Sequence, residues 1–189
     1  MKAYFTGALY QKEKFLEIYK KIVDTIKSAG VDVLEDTTEV TLQEALEKTN
    51  EERVDYYKKV LKWIDKSDFI VAEASFPSTL SIGHEITLAS EKSKPVIVLY
   101  MEGFEPTFLM GLKDDKVLWV KYNKDNLQKV LTEAIEEAKG RQDVRFNFFV
   151  SPKILTYLDW VAKKRMIPRS VFLRDLIEHE MKKDKEFKE

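Results

Sequence analysis

The sequence predicts an α/β chain built on a five-stranded parallel sheet covered by helices on both faces, a flavodoxin-like three-layer sandwich. Two observations carry that prediction. Short apolar runs alternate with amphipathic segments at helical spacing from residue 2 to about 139, the pattern of strand–helix–strand units with right-handed crossovers. Beyond Gly140 the pattern and the charge both change. Residues 141–189 hold 12 Lys and Arg against 8 Asp and Glu, whereas residues 1–140 hold 20 against 25. A basic end beside an acidic body implies two parts, 1–140 and 141–189, with different partners.

The elements follow in order. "KAYFTGA" (2–8) is a first strand. Residues 12–29 carry Phe15, Ile18, Tyr19, Ile22, Val23 and Ile26 on one helical face, and Gly30 closes the helix. "VDVLED" is a second strand. Residues 41–65 form a helix in two pieces, with Tyr57, Val60, Leu61 and Ile64 inward. "DFIVAEA" (68–74) is a buried strand, and "GHEITLASEKS" (83–93) is a helix opened by the loop "SFPSTLSIGHE". "PVIVLY" and "KVLWVKY" are the last two strands, and a helix covers about 124–139. In such sheets ligands bind at the carboxyl ends of the strands, so the loops after strands 1, 3 and 4 are the places to search.

The smaller part begins with a polar link and an expected strand, "RQDVRFNFFV" (141–150). Phe146, Phe148 and Val150 share one face; Arg145, Asn147 and Phe149 share the other. Ser151 and Pro152 suit a helix N-cap and first position. That helix should bury Ile154, Leu155, Leu158 and Val161. After "IPRS", a second should bury Val171, Leu173, Leu176 and Ile177. One strand cannot form a sheet alone, so it should pair with its twin in a second chain, giving a homodimer or higher homo-oligomer.

Composition excludes several chemistries. The chain has no cysteine, which removes disulfides and thiol nucleophiles, and its two histidines, His84 and His179, are far apart in sequence, against a metal site. No cofactor is expected. No apolar run reaches the roughly 18 residues of a membrane span, and a cytoplasmic setting is expected.

Residues 1–120 resemble the nucleoside 2-deoxyribosyltransferase family, especially its 2'-deoxynucleoside 5'-monophosphate N-hydrolase branch. The matching stretches are "YFTGAL", "LKWIDKSDFIVAEASFPS" and "IGHEITLASEKSKPVIVLY". The resemblance implies a hydrolase or transferase acting on the N-glycosidic bond of a nucleoside or nucleotide, with Glu85 as the catalytic nucleophile. A carboxylate beside the anomeric carbon can capture an oxocarbenium-like sugar. The bland alternative is a first-turn acid that suits the helix dipole. The implied substrate-binding residues are Tyr4 and Gly7 in strand 1, Tyr10 just after it, and Glu73 at the end of strand 3. Ser78, Thr79 and Ser81 in the helix-opening loop suit a 5'-phosphate, and Gly83 beside them completes the substrate-binding set. Glu73 reads equally as a sugar-binding group or a strand-end carboxylate, and His84 reads as a loop-edge residue in preference to an acid or base. The chain departs from the family in four places, one of them a loop glycine that reads as Ser81. The general-acid Asp matches Val60, a phosphate-holding Arg matches Tyr10, and the loop before Glu85 carries one extra residue.

Residues 144–183 resemble a ribbon-helix-helix domain of the CopG/Arc-like class. This implies dimerisation through the strand and, with it, DNA binding. Arg145, Asn147 and Phe149 would read bases, while Arg169 and Ser170 would hold a phosphate. A glycine usual before the inter-helix turn is Met166 here. The resemblances leave two functions open: an N-glycosidase of low or altered activity, or a non-enzymatic nucleotide-sensing regulator that binds double-stranded DNA.

Overall fold

The computed structural model describes residues 1–10, 12–112, 114–140 and 149–184, without the side chain of residue 178. The chain divides into two compact units, Met1–Asp143 and Val144–Glu189.

In the first unit, β1 (Lys2–Gly7), β2 (Asp32–Leu34), β3 (Phe69–Glu73), β4 (Val96–Met101) and β5 (Val117–Tyr122) form one parallel sheet in the order β2-β1-β3-β4-β5. That is the flavodoxin-like order, with its topological switch between β1 and β3. The helices are α1 (Lys12–Ser28), α2 (Leu42–Glu47), α3 (Asn50–Lys66), α4 (Leu80–Glu91) and α5 (Leu127–Gly140). Strand residues alternate between two cores. Phe5, Phe69, Val71, Ile97 and Leu99 pack against α1 and α5 residues such as Ile22 and Ile135. Tyr4, Ile70, Ala72 and Val98 pack with Val60 and Ile64 of α3 and Ile82 and Ile86 of α4. Each such fully buried aliphatic side chain contributes about 1.5–3 kcal/mol.

The split between α2 and α3 has a local cause. Thr41 and Thr49 each form a reciprocal capping box, with Glu44 and Glu52 respectively, so a second helix start is written inside the segment. Gly30, at φ +74°, lets the chain leave α1 for β2. At the other end of β1, a Cβ on Gly7 would lie 2.8 Å from the Tyr19 ring, so close packing accounts for that glycine.

Two sequence expectations change. Helix α4 begins at Leu80, three residues before the expected start. Tyr56, not Tyr57, packs against the α3–α4 core; Tyr57 is exposed. The Tyr56 hydroxyl reaches Asp36 at 3.0 Å, a partner that sequence spacing does not reveal.

In the second unit, α6 (Pro152–Arg165) and α7 (Arg169–Lys183) form a helical pair. Ser151 caps α6 with Pro152 at its start, and the helix ends at Met166 in the left-handed region, at φ 56°. Leu158, Val161 and Phe172 form the small core. Ile154, Leu155, Val171, Leu176 and Ile177, expected inside, are exposed. Two helices of one chain have a single shared face, and only residues on it are covered. The expected strand lies almost wholly outside the described residues; Phe149 and Val150 are described and carry no regular structure.

Candidate active site

Glu85 lies five residues beyond the start of α4 and is 8% exposed. The dipole effect fades within the first helical turn, so the helix N-terminus does not explain a buried carboxylate at this depth. Its Oε2 accepts a hydrogen bond from the Tyr4 hydroxyl at 3.0 Å. Tyr4 comes from β1, where even-numbered residues face α3 and α4, and its ring packs on Trp63 with centroids 5.6 Å apart. Desolvation raises the Glu85 carboxyl above the usual carboxylate range, while the hydroxyls of Thr6 and Tyr4 and the nearby His84 favour its charged form. The same burial, with the Glu85 charge, raises the Tyr4 phenol far above its ordinary value.

Around this pair stand Asp36 and Lys59, which the sequence does not single out, and His84, which lies inside α4 and not at a loop edge. Asp36, in the loop after β2, accepts from Tyr56 at 3.0 Å and pairs with Lys59 at 3.0 Å. Lys59 also lies 4.3 Å over the Trp63 ring. His84 Nε2 is 2.9 Å from the Tyr57 hydroxyl. Asp36 sits among ordinary loop acids in "EDTTEV", and the Tyr57–His84 pair spans 27 residues, so neither carried a local signal. At the position matching the family acid, Val60 is buried in the apolar core.

A cleft of about 560 Å³ opens beside α4. Its walls include Ser78, Thr79, Gly83 and His84 on one side and Pro106, Thr107, Phe108 and Leu109 on the other. Glu85 itself is not in the lining. The N-cap residue Thr79 makes no side-chain capping bond, so the first N–H groups of α4 have no cap from it. Ser78 Oγ is buried and, among the described residues, has no hydrogen-bond partner. Ser81 is exposed in the first turn of α4.

Not every expected residue joins this group. Glu73 is in register with Gly7 and shares its strand parity with Phe69 and Val71 on the α1–α5 face, the face opposite Tyr4. Its Oε1 accepts from Tyr122 at 2.9 Å and from the hydroxyl and N–H of Ser75, so its partners are structural. Burial raises its carboxyl above the usual range. Tyr10 is exposed and borders a small cavity of about 20 Å³ on the Glu73 side.

In the second unit, Phe149 is fully exposed, whereas Arg145 and Asn147 lie outside the described residues. Ser170 is exposed in the first turn of α7, and Arg169 is ion-paired with Asp159. Among the described residues, no group of three or more His, Asp or Glu could hold a metal ion, and no helix is long and apolar enough to cross a membrane.

No protein-family model matches the chain. Individual relatives do. A protein of the sea anemone Nematostella vectensis named 2'-deoxynucleoside 5'-phosphate N-hydrolase 1 is 35% identical over 131 residues, 66% of this chain and 86% of that protein. A Methanosarcina mazei protein of the same name is 27% identical over 70% of this chain and 82% of its own length. The 5-hydroxymethyl-dUMP N-hydrolase of the pike Esox lucius is 25% identical over 70% of this chain and 94% of its own. Among solved structures, a CMP N-glycosidase of Clostridium botulinum aligns with 72% of this chain and 99% of its own, at 18% identity and a TM-score of 0.48. On the strength of the sea anemone relative, this chain belongs to the 2'-deoxynucleoside 5'-phosphate N-hydrolase family.

Proposed function

We propose that the first unit hydrolyses the N-glycosidic bond of 2'-deoxynucleoside 5'-monophosphates with Glu85 as nucleophile. One observation carries this reading: a buried carboxylate, held by the Tyr4 phenol, beside an uncapped helix start near the carboxyl edge of a parallel sheet. The Glu85 carboxylate attacks C1', the C1'–N bond breaks, and its electron pair leaves with the base. Water then hydrolyses the glycosyl ester, releasing 2-deoxyribose 5-phosphate and restoring the carboxylate. The unpartnered Ser78 hydroxyl, Thr79 and the first N–H groups of α4 suit the 5'-phosphate. The names of the relatives support the substrate class.

The test is release of free base from the four 2'-deoxynucleoside 5'-monophosphates and their nucleosides. Glu85→Gln should lower release by at least about 10³-fold while the variant stays folded. Release that survives this substitution would overturn the mechanism.

Val60 favours a second reading, because the position that the resemblance assigns to the general acid is a buried aliphatic. In that reading the pocket senses a nucleotide, and a dimer of the C-terminal ribbon-helix-helix unit binds DNA. The exposed apolar residues of α6 and α7 support a homo-oligomer. The Arg169–Asp159 ion pair weighs against Arg169 as a phosphate contact. Nucleotide binding without base release, together with a sequence-dependent gel shift, would select this reading.

A further inference from the structure

A departing base leaves more easily when protonated, and the proposed N-glycosidase reaction, on which this inference rests, needs a proton donor. Val60 is apolar and 2% exposed, so it supplies none. Asp36, Tyr56 and His84 are titratable groups standing around the Tyr4–Glu85 pair. Both Asp36 oxygens are already engaged, one by Tyr56 and one by Lys59. Burial pushes the Tyr4 and Tyr56 phenols up, away from proton donation near neutrality. His84 remains.

His84 precedes Glu85 on α4; it is exposed and borders the cleft, while Glu85 is buried beside it. Tyr57, which contacts Nε2, sits on α3 one helical turn before Val60. A donor on α4 steered from α3 can therefore stand in for a donor on α3 itself. Among the described residues, the Tyr57 hydroxyl on α3 contacts the imidazole, Glu85 follows it on α4, and the other residues lining the cleft are uncharged.

We propose that His84 is the general acid of this site, passing a proton from Nδ1 to the departing base, with Tyr57 as the positioning residue that fixes the ring through Nε2. In the first step Glu85 bonds to C1', the C1'–N pair moves onto the base, and His84 Nδ1–H protonates the base. In the second, neutral His84 takes a proton from water as its oxygen bonds to C1' and the ester bond to Glu85 breaks. Imidazolium and carboxylate are both restored. Imidazole suits the task because one ring nitrogen can give and take a proton while the other is held by a hydrogen bond.

The test compares wild type with His84→Gln and Tyr57→Phe on two substrate types. One is the four 2'-deoxynucleoside 5'-monophosphates; the other is 4-nitrophenyl 2-deoxyribofuranoside 5-phosphate, whose leaving group departs as a stable anion without a proton. His84→Gln should lower kcat/KM for base release by about 10²–10⁴-fold and reduce kcat/KM for nitrophenolate, whose departure needs no proton, by less than tenfold. Tyr57→Phe should lower kcat with KM little changed. Equal losses on both substrate types, no loss on either, or a wild type that cleaves only the nitrophenyl compound would overturn the role of His84 while leaving Glu85 as nucleophile. A folded wild type that cleaves neither would overturn the N-glycosidase reading and this inference with it.

Discussion

The Tyr4 hydroxyl donates to Glu85 Oε2 across 81 residues of sequence, joining the first strand of the sheet to the helix after the third. The bond compensates a carboxylate that burial otherwise disfavours. Tyr4→Phe removes a donor from the charged form, so the Glu85 carboxyl should rise further. The acid-side rise of kcat/KM should then move to higher pH. Activity at neutral pH should fall about 10- to 10²-fold, as expected for losing a hydrogen bond to a charged group. An unshifted pH profile would show that Glu85 ionisation does not limit the reaction.

The sheet was legible because parallel strands covered on both faces must be short apolar runs, and these are set apart by helices of clear period. The site was legible only in part. Glu85 and Tyr4 stood in recognisable stretches, but the bond between them depends on strand register. The start of α4 was missed because Thr79, a favoured N-cap residue, stands in a stretch whose Pro, Ser and Gly residues read as a loop up to Gly83. Tyr56 and Tyr57 fit a helical face equally well by spacing; the Asp36 contact distinguishes them. Glu73 could not be assigned to a face until the register of β1 with β3 set it opposite Tyr4.

Glu73 supplies a stability prediction independent of the reaction. Desolvation holds its carboxyl above the unfolded value of about 4.3. The folded state therefore keeps this proton where the unfolded state has lost it. The resulting stability is fully present below about pH 4.3 and is lost as pH rises through the folded value. Glu73→Gln keeps an acceptor for Tyr122 and Ser75 without a charge to bury. Its melting temperature should exceed that of wild type at pH 8, and the difference should shrink towards pH 4. Parallel pH curves for the two proteins would show that Glu73 carries no such linkage.

Met166 closes α6 in a conformation that costs a side-chain-bearing residue about 1–2 kcal/mol. Glycine adopts it freely but adds entropy to the unfolded chain. Met166→Gly should therefore stabilise the second unit by about 0.5–1 kcal/mol, since the exposed methionine side chain gives up little packing. Denaturant unfolding followed by Trp160 fluorescence, with Trp63 and Trp119 replaced by phenylalanine, would read this directly. A destabilised variant would mean that Met166 makes contacts in an assembly.

The last prediction concerns that assembly. Leu158, Val161 and Phe172 are a small core for two helices, while Ile177 is 60% exposed and Leu176 and Met181 are also open. In one chain these apolar residues lie in water; in a homo-oligomer built on the second unit they would be covered. An aspartate at 177 would cost little in the first case and would bury an unpaired charge in the second. Ile177→Asp should therefore lower the mass found by sedimentation equilibrium and weaken association by about 10²-fold or more, as expected for a charge without a partner in an apolar interface. An unchanged mass, with α7 still folded by circular dichroism, would exclude this face from the interface.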